Sequence, residues 1–135
     1  TEPGVAYRVL FWQQKMNDVS GFLYWSVNYW DGDGWNNREA EWTQGQYTYG
    51  NGQLLYPGAK VGQEGPVGSL RLEAVRDGIE DYQVLTMLEQ LLGSDETEEF
   101  IHRTTTHVAV WNGDYDHFAS ERVMLGNRLE ALLGE

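Results

Sequence analysis

Aromatic, amide and carboxylate side chains follow directly on one apolar run of the chain. Asn28, Trp30, Asp31 and Trp35 come after the run Gly21–Val27, which is itself rich in aromatic residues. Flat aromatic rings suit the C–H face of a sugar, while amide and carboxylate groups suit its hydroxyls. This grouping of residue types therefore predicts carbohydrate binding.

The element that must position these side chains is a strand over Gly21–Tyr29. A strand with one solvent face alternates apolar and polar residues, so this nearly continuous apolar run predicts a strand covered on both faces. Its polar residues are confined to the C-terminal end, where α/β sheets and barrels bind their ligands. Trp25 lies one step off the ligand-facing side, and we expect it to pack against surrounding helices.

The composition excludes several classes of function. A formal net charge of -12 and a pI near 4.5 argue against nucleic-acid binding, because few cations are available to neutralise phosphates. Without cysteine, neither disulfides nor thiolate zinc sites are expected, and no apolar run reaches membrane-spanning length, so no membrane partner is expected. The first residues are unlike a signal peptide. Because the chain does not begin with Met, we expect it to be a piece of a longer protein.

Periodicity and turn residues predict four helices and a second strand elsewhere in the chain. Gly78 is expected to bend the longest of these helices. The predicted elements are helices over residues 5–16 and 67–92, a helix capped by Ser94, a helix over Tyr115–Leu133, and a strand over Leu54–Tyr56.

Two strands that are each covered on both faces do not make a sheet on their own. We therefore expect a helix-rich α/β fold that forms the C-terminal part of a larger parallel-sheet domain. The other strands of that sheet would precede Thr1.

Four sequence motifs occur together, and the most specific is the run Arg-Asp-Gly-Ile-Glu-Asp-Tyr at residues 76–82. In order they are Arg8–Trp12, Gly21–Trp30, Asn51–Gly58 and Ser69–Tyr82. In this order and spacing, residues 5–92 resemble the C-terminal portion of the catalytic domain of glycoside hydrolase family 123. The characterised members of that family are bacterial β-N-acetylgalactosaminidases.

This resemblance implies the C-terminal portion of a (β/α)8 TIM-type barrel, with the two predicted strands as its last two. Residues 1–92 would then supply the last strands and helices of the barrel, and residues 93–135 a C-terminal helical tail of the same domain. A whole barrel takes about 250 residues, so this chain is at most its final portion. The N-terminal remainder of the barrel is then its structural partner. The family also suggests a secreted or periplasmic bacterial protein.

The resemblance also implies a substrate-assisted hydrolysis of terminal N-acetylhexosamines, without a cofactor. The 2-acetamido oxygen attacks the anomeric carbon, one acid orients it, and a neighbouring acid protonates the leaving group. The family carries this adjacent Asp-Glu pair on an earlier strand. The Asp95-Glu96 pair of this chain lies at a predicted helix start, where acidic residues suit the helix dipole. We expect this chain to supply substrate-binding walls without the catalytic pair, and to be inactive alone.

The expected substrate-binding residues are Asn28, Trp30, Asp31, Trp35 and Arg71. Structural roles stay open for each tryptophan, which can pack within its loop, and for Asn28, which can bond a neighbouring strand end. Arg71 lies near the start of the long helix and so nearest the presumed site. Further along that helix, a set of charges at helical spacing predicts an ion-pair cluster. Its members are Arg76, Asp77, Glu80 and Asp81.

No metal is expected, because Asp31–Gly34 lacks the ligand spacing of a calcium loop and the histidines lack metal-ligand spacing. Two other classes of function stay open. The tryptophan-rich loop could form a carbohydrate-binding module without hydrolysis, or a protein-interaction surface. Unpaired strand edges also predict that the isolated chain forms a homodimer burying Phe22, Trp25 and Leu54.

Overall fold

The computed structural model describes residues 4–30, 34–35, 42–43, 46–47 and 50–134. The chain divides into two compact units. The first unit comprises Phe22–Glu73, and the second comprises the chain before Phe22 together with the chain from Ala74 onward. Among the described helices, none is long and apolar enough to cross a membrane.

The strands of the described residues pair as three antiparallel two-stranded ladders, β1 with β2, β3 with β4 and β5 with β6. A 3-10 helix at Gly58–Val61 connects β3 to β4. The elements in chain order are α1 (Ala6–Met16), β1 (Trp42–Thr43), β2 (Gln46–Tyr47), β3 (Leu55–Pro57), β4 (Pro66–Gly68), α2 (Leu70–Leu92), α3 (Ser94–His102), β5 (Thr105–His107), β6 (Val110–Trp111) and α4 (Tyr115–Leu133).

The four predicted helices are all present, and side-chain caps mark the start of two of them, α2 and α4. The last helix has the predicted bounds, because Asp114 Oδ1 accepts hydrogen bonds from the backbone N–H of Asp116 at 2.8 Å and of His117 at 3.3 Å. The long helix begins at Leu70 rather than at residue 67, because β4 occupies the preceding residues. Ser69 Oγ accepts the N–H of the third residue of this helix at 3.2 Å.

The cap predicted at Ser94 is wrong. Helix α3 begins at Ser94 itself, and the capping position belongs to Gly93, which makes no side-chain cap. Gly93 has a φ of 90°, in the left-handed region that glycine adopts without strain. The chain therefore leaves α2 and enters α3 through a single glycine.

The second predicted strand is present as β3, but the first predicted strand, Gly21–Tyr29, makes an isolated antiparallel bridge between Asn28 and Gln53 instead. Backbone hydrogen bonds tie it along one edge, where Val27 O accepts the N–H groups of Leu54 and Leu55, each at 2.8 Å. Apolar side chains of this segment stay exposed, with Leu23 86% and Val27 41% exposed. A regular strand needs ladder partners, and the described chain supplies one short neighbour.

The second unit has a continuous apolar core to which its helices contribute. The ring of Trp12 is fully buried and meets the ring of Phe118 edge-on, with centroids 5.2 Å apart. The buried members of this core are Val5, Val9, Trp12, Leu85, Leu88, Phe100, Ile101, Phe118 and Leu125.

A fully buried carboxylate, that of Asp81, lies among these helices. It accepts hydrogen bonds from Arg8 Nε at 2.6 Å and Nη2 at 2.9 Å, from Trp12 Nε1 at 3.1 Å and from Arg122 Nε at 2.5 Å. The carboxylate of α2 is thereby bound to both α1 and α4. The predicted ion-pair cluster on α2 is thus confirmed for Asp81, and its partners are neighbouring helices.

Arg8 is the more buried of the two cations that hold Asp81. Burial lowers the pKa of Arg8, but the hydrogen bond and charge of Asp81 and the charges of Asp77 and Tyr115 outweigh burial and raise it above its ordinary value. Arg8 Nη1 lies 3.5 Å from Asp77 Oδ2, and its guanidinium carbon lies 5.2 Å from the ring centroid of Phe118. The cation is therefore held in its charged form by both carboxylates.

A hairpin that the sequence pattern did not reveal packs against α1. The buried amide of Gln13 donates through Nε2 to Thr105 Oγ1 at 3.2 Å, to Val108 O at 3.3 Å and to His107 O at 3.4 Å. These bonds fix the turn between β5 and β6 on the helix. The two strands are only three and two residues long, too short for an alternating pattern to show in the sequence.

Gly78 does not interrupt α2, which runs unbroken through it. A Cβ at this position would overlap the ring of Phe11, so the glycine allows α1 and α2 to approach closely. The structure thus gives Gly78 a packing role that the sequence did not predict.

We expect Asp81→Asn to destabilise the protein by about 3–5 kcal/mol, because it removes the buried charge that holds two partly buried guanidinium groups. The matched control is Glu80→Gln on the same helix, since Glu80 is 62% exposed and lies 3.9 Å from Arg76. That change should cost at most about 0.5 kcal/mol. Urea unfolding followed by circular dichroism measures both, and equal midpoints would contradict the central role of Asp81.

Gly78→Ala should also destabilise the second unit, whereas Gly126→Ala should not. Both changes gain about 1 kcal/mol of helix propensity. Only the first overlaps a buried ring, which costs on the order of 1–3 kcal/mol. At Gly126 the nearest atom is Nη1 of Arg122, at 3.2 Å, and it needs to shift by only a few tenths of an ångström. Thermal unfolding of the two variants gives the difference directly, and a Gly78→Ala protein as stable as Gly126→Ala would refute the close packing of Phe11.

Candidate functional site

The candidate site is built on a tight turn of the first unit, Gly50–Gln53. Gly50 and Gly52 have φ angles of 75° and 71°, which favour glycine, and Gln53 N donates to Gly50 O at 3.1 Å. Gln53 is buried, and its side chain donates through Nε2 to Tyr29 O at 2.9 Å. The turn is therefore fixed against the segment that was predicted to present ligand-binding residues.

One aromatic pair, here called the Trp25 pair, consists of Trp25 and Tyr29. Their ring centroids are 5.1 Å apart at an interplanar angle of 54°. Trp25 Nε1 donates to Asn51 Oδ1 at 2.9 Å, and its ring lies so close to Gly52 that a Cβ there would come within 2.5 Å of it. Trp25 nevertheless remains 49% exposed. The turn thus holds a tryptophan in one orientation with half of its surface free.

A second pair, the Trp35 pair, consists of Trp35 and Tyr56. The ring centroids lie 4.9 Å apart at an interplanar angle of 40°, and Trp35 is 38% exposed. Trp35 Nε1 donates to Pro57 O at 2.6 Å, and Trp30 Nε1 donates to Leu55 O at 2.8 Å. Both indoles are therefore tied to the backbone of β3, which satisfies their N–H groups and leaves ring surface for contacts.

Arg71 joins the Trp35 pair to the turn. Its Nη2 donates to Gln53 O at 2.6 Å and to the hydroxyl of Tyr56 at 2.7 Å. Its guanidinium carbon lies 5.9 Å from the centroid of the Tyr56 ring, and a Cβ at Gly50 would overlap the guanidinium group. The guanidinium is therefore confined between a glycine backbone and a tyrosine.

The structure brings three of the five predicted residues together. Trp30, Trp35 and Arg71 all contact β3 or its side chains, as described above, while Asn28 is exposed at its bridge to Gln53. Asp31 lies outside the described residues.

Sequence reasoning missed the exposed part of Trp25, which was assigned to packing against helices, and it missed Tyr56. The turn glycines were the available signal, because ring-on-backbone contact requires a residue without Cβ. A turn of the type Gly-Asn-Gly next to aromatic residues marks such a place.

These side chains offer indole, phenol, amide and guanidinium groups, which bind and orient a polar ligand. Among the described residues of the site there is no carboxylic acid, the group that protonates a glycosidic oxygen in most glycosidases. Across the described residues, no group of three or more metal-ligating side chains occurs. The described arrangement is suited to binding a sugar.

Residues 1–88 match the family model described as the catalytic domain of glycoside hydrolase 123. The match spans well over half of the 135 residues and includes the whole candidate site. The chain therefore belongs to glycoside hydrolase family 123. No curated protein matches it.

We expect Gly50→Ala to disturb the site more than Gly62→Ala, although both residues have φ angles near 70°. A left-handed alanine costs roughly 1–2 kcal/mol at either position. At Gly62 nothing lies within 4 Å, whereas at Gly50 the new Cβ would also displace Arg71. The free energy of unfolding should fall further for Gly50→Ala, and the indole N–H resonance of Trp35 should shift in that variant alone. Matching spectra for the two variants would contradict the described position of Arg71.

Proposed function

We propose that this chain forms a substrate-binding wall of a β-N-acetylhexosaminidase, with N-acetylgalactosamine as the preferred sugar. One observation carries the proposal: the matched residues 1–88 contain the two half-exposed tryptophans and the polar groups beside them. Aromatic faces held by hydrogen bonds at their N–H edge are typical of sugar sites. The family to which the chain belongs supports hydrolysis of a glycoside as the activity of the whole protein.

Within this proposal the tryptophans receive the C–H face of the sugar, and Asn28, Asp31 and Arg71 bind its polar substituents. The acetamido group of the substrate supplies the nucleophilic oxygen, and an Asp-Glu pair elsewhere in the same protein orients it and protonates the leaving group. The role left to this chain is to hold the sugar in place, which lowers the entropic part of the barrier.

Asp95 and Glu96 are not assigned to catalysis, for two reasons. They lie in the first turn of α3, outside the residues that match the family model. Glu96 is also engaged, since its Oε1 accepts hydrogen bonds from Arg128 Nη2 at 2.9 Å and Nε at 3.1 Å. This is the ordinary behaviour of an acidic residue at a helix start.

We further propose that other strands of the same catalytic domain cover the exposed apolar residues of the first unit, as the last part of a (β/α)8 barrel. The exposure of the aliphatic residues Leu23 and Val27 supports this arrangement, because exposed apolar surface often marks an interface.

The purified chain should bind methyl β-N-acetylgalactosaminide with a millimolar Kd and hydrolyse no aryl N-acetylgalactosaminide. Intrinsic tryptophan fluorescence measures the binding, and release of the aryl group measures hydrolysis. Trp35→Ala should weaken binding about tenfold, the equivalent of about 1.4 kcal/mol for a lost aromatic contact. Tyr115→Ala is the control, because Tyr115 is a 68% exposed aromatic residue of the second unit.

Two results would overturn this division of labour. If the purified chain hydrolyses the substrate and Asn28→Ala abolishes that activity, catalysis lies in this chain. If Trp35→Ala and Tyr115→Ala weaken sugar binding equally, the Trp35 pair is not the sugar site. Equal binding of hexoses with and without the acetamido group would favour a general carbohydrate-binding module.

A further inference from the structure

Arg71 differs from the other described arginines in its charge environment. In each of the others a guanidinium nitrogen lies 3.0 Å or less from a carboxylate oxygen, whereas Arg71 forms no ion pair with any residue that the structure describes. The paired arginines are Arg8, Arg76, Arg103, Arg122 and Arg128. An arginine without a counter-ion is unusual in a chain with 21 acidic and 9 basic residues.

The hydrogen bonds of Arg71 leave its charge uncompensated. Both bonds described above come from Nη2 and end on neutral oxygens, a carbonyl and a phenol. Its Nε is buried and has no hydrogen-bond partner in the described part of the chain. A partly desolvated cation with an unsatisfied N–H group carries a free-energy cost that an anion can offset.

The geometry around Arg71 favours an anion that is presented on a sugar. The hydroxyl that Arg71 contacts belongs to Tyr56, whose ring packs on the half-exposed Trp35. An aromatic face for a sugar ring therefore lies next to a fixed guanidinium group. The planar fork of arginine matches the paired oxygens of sulfate and carboxylate groups better than it matches hydroxyls.

We propose that Arg71, Tyr56 and Trp35 form a subsite for a sugar that carries an oxyanion, namely a sulfate ester or a carboxylate. This inference rests on the proposed function and narrows its substrate class to acidic N-acetylhexosamines. The strongly acidic chain repels anions in general, so a local unpaired cation is needed to admit one. In the subsite the guanidinium receives the oxyanion, while the indole receives the ring that bears it.

The test uses the complete 135-residue chain and two simple probes, methyl sulfate and acetate. Two-dimensional NMR follows the Nε–H of Arg71 and the indole N–H of Trp35 during each titration. We expect saturable shifts of both signals in the natural chain and in Arg76→Gln, where the exposed Arg76 is already paired with Asp77 at 2.9 Å. In Arg71→Gln, which has no arginine Nε–H, the shift of the Trp35 indole signal should be lost. Arg71→Lys keeps the positive charge but loses the planar pair of N–H donors, so it should bind the anions with intermediate affinity. This variant also gives a result if Arg71→Gln fails to fold.

A second titration compares neutral N-acetylgalactosamine with its 6-sulfate. The sulfated sugar should bind at least about tenfold more tightly to the natural chain, the order expected of a charge-assisted hydrogen bond. That preference should disappear in Arg71→Gln. A preference for acetate over methyl sulfate in the first titration would assign the carboxylate sugar instead.

The outcomes separate this inference from the proposed function. Neutral sugar binding without any response to either anion overturns the anionic subsite and leaves the proposed function standing. Anion binding at Arg71 without any sugar binding supports the subsite and removes the proposed function. Anion shifts that survive in Arg71→Gln, or that vanish equally in Arg76→Gln, show nonspecific screening and overturn the subsite.

Discussion

The buried carboxylate of Asp81 is the interaction on which the second unit depends. Taking a carboxylate out of water costs several kcal/mol, and the cost is offset here by four N–H donors from Arg8, Trp12 and Arg122. Because these donors belong to α1 and α4 while the acceptor belongs to α2, the three helices must meet at one point. The apolar core, including the contact of Trp12 with Phe118, is then arranged around that point.

The first unit follows a different constraint, which is close approach of side chains to backbone. Gly50 and Gly52 turn the chain with positive φ angles, and their missing Cβ atoms admit the guanidinium of Arg71 and the ring of Trp25. The indole N–H groups are satisfied by the carbonyls of β3 or by Asn51, so the rings are oriented without being buried. The same indole side chains are therefore held in place by hydrogen bonds and still expose part of their ring surface.

The two units also use charge differently. In the second unit the arginines are neutralised by nearby acids, whereas the cation of the candidate site is bound to neutral oxygens. The guanidinium of Arg71 instead lies beside aromatic rings, without a carboxylate among the described residues. This difference is the basis on which we propose a binding role for the turn and β3 within a chain of glycoside hydrolase family 123.

Sequence alone indicated the four helices and the family. Helical periodicity and caps act over a few residues, so the bounds of α4 and the end of α1 at Met16 could be read directly. Tertiary structure decided what depends on distant partners. It showed that Gly78 accommodates Phe11, that Asp81 binds Arg8 and Arg122, and that Gly21–Tyr29 forms a single bridge instead of a strand. Ion pairs, ring contacts and strand ladders join residues far apart in the chain, and local sequence patterns do not specify which residues those will be.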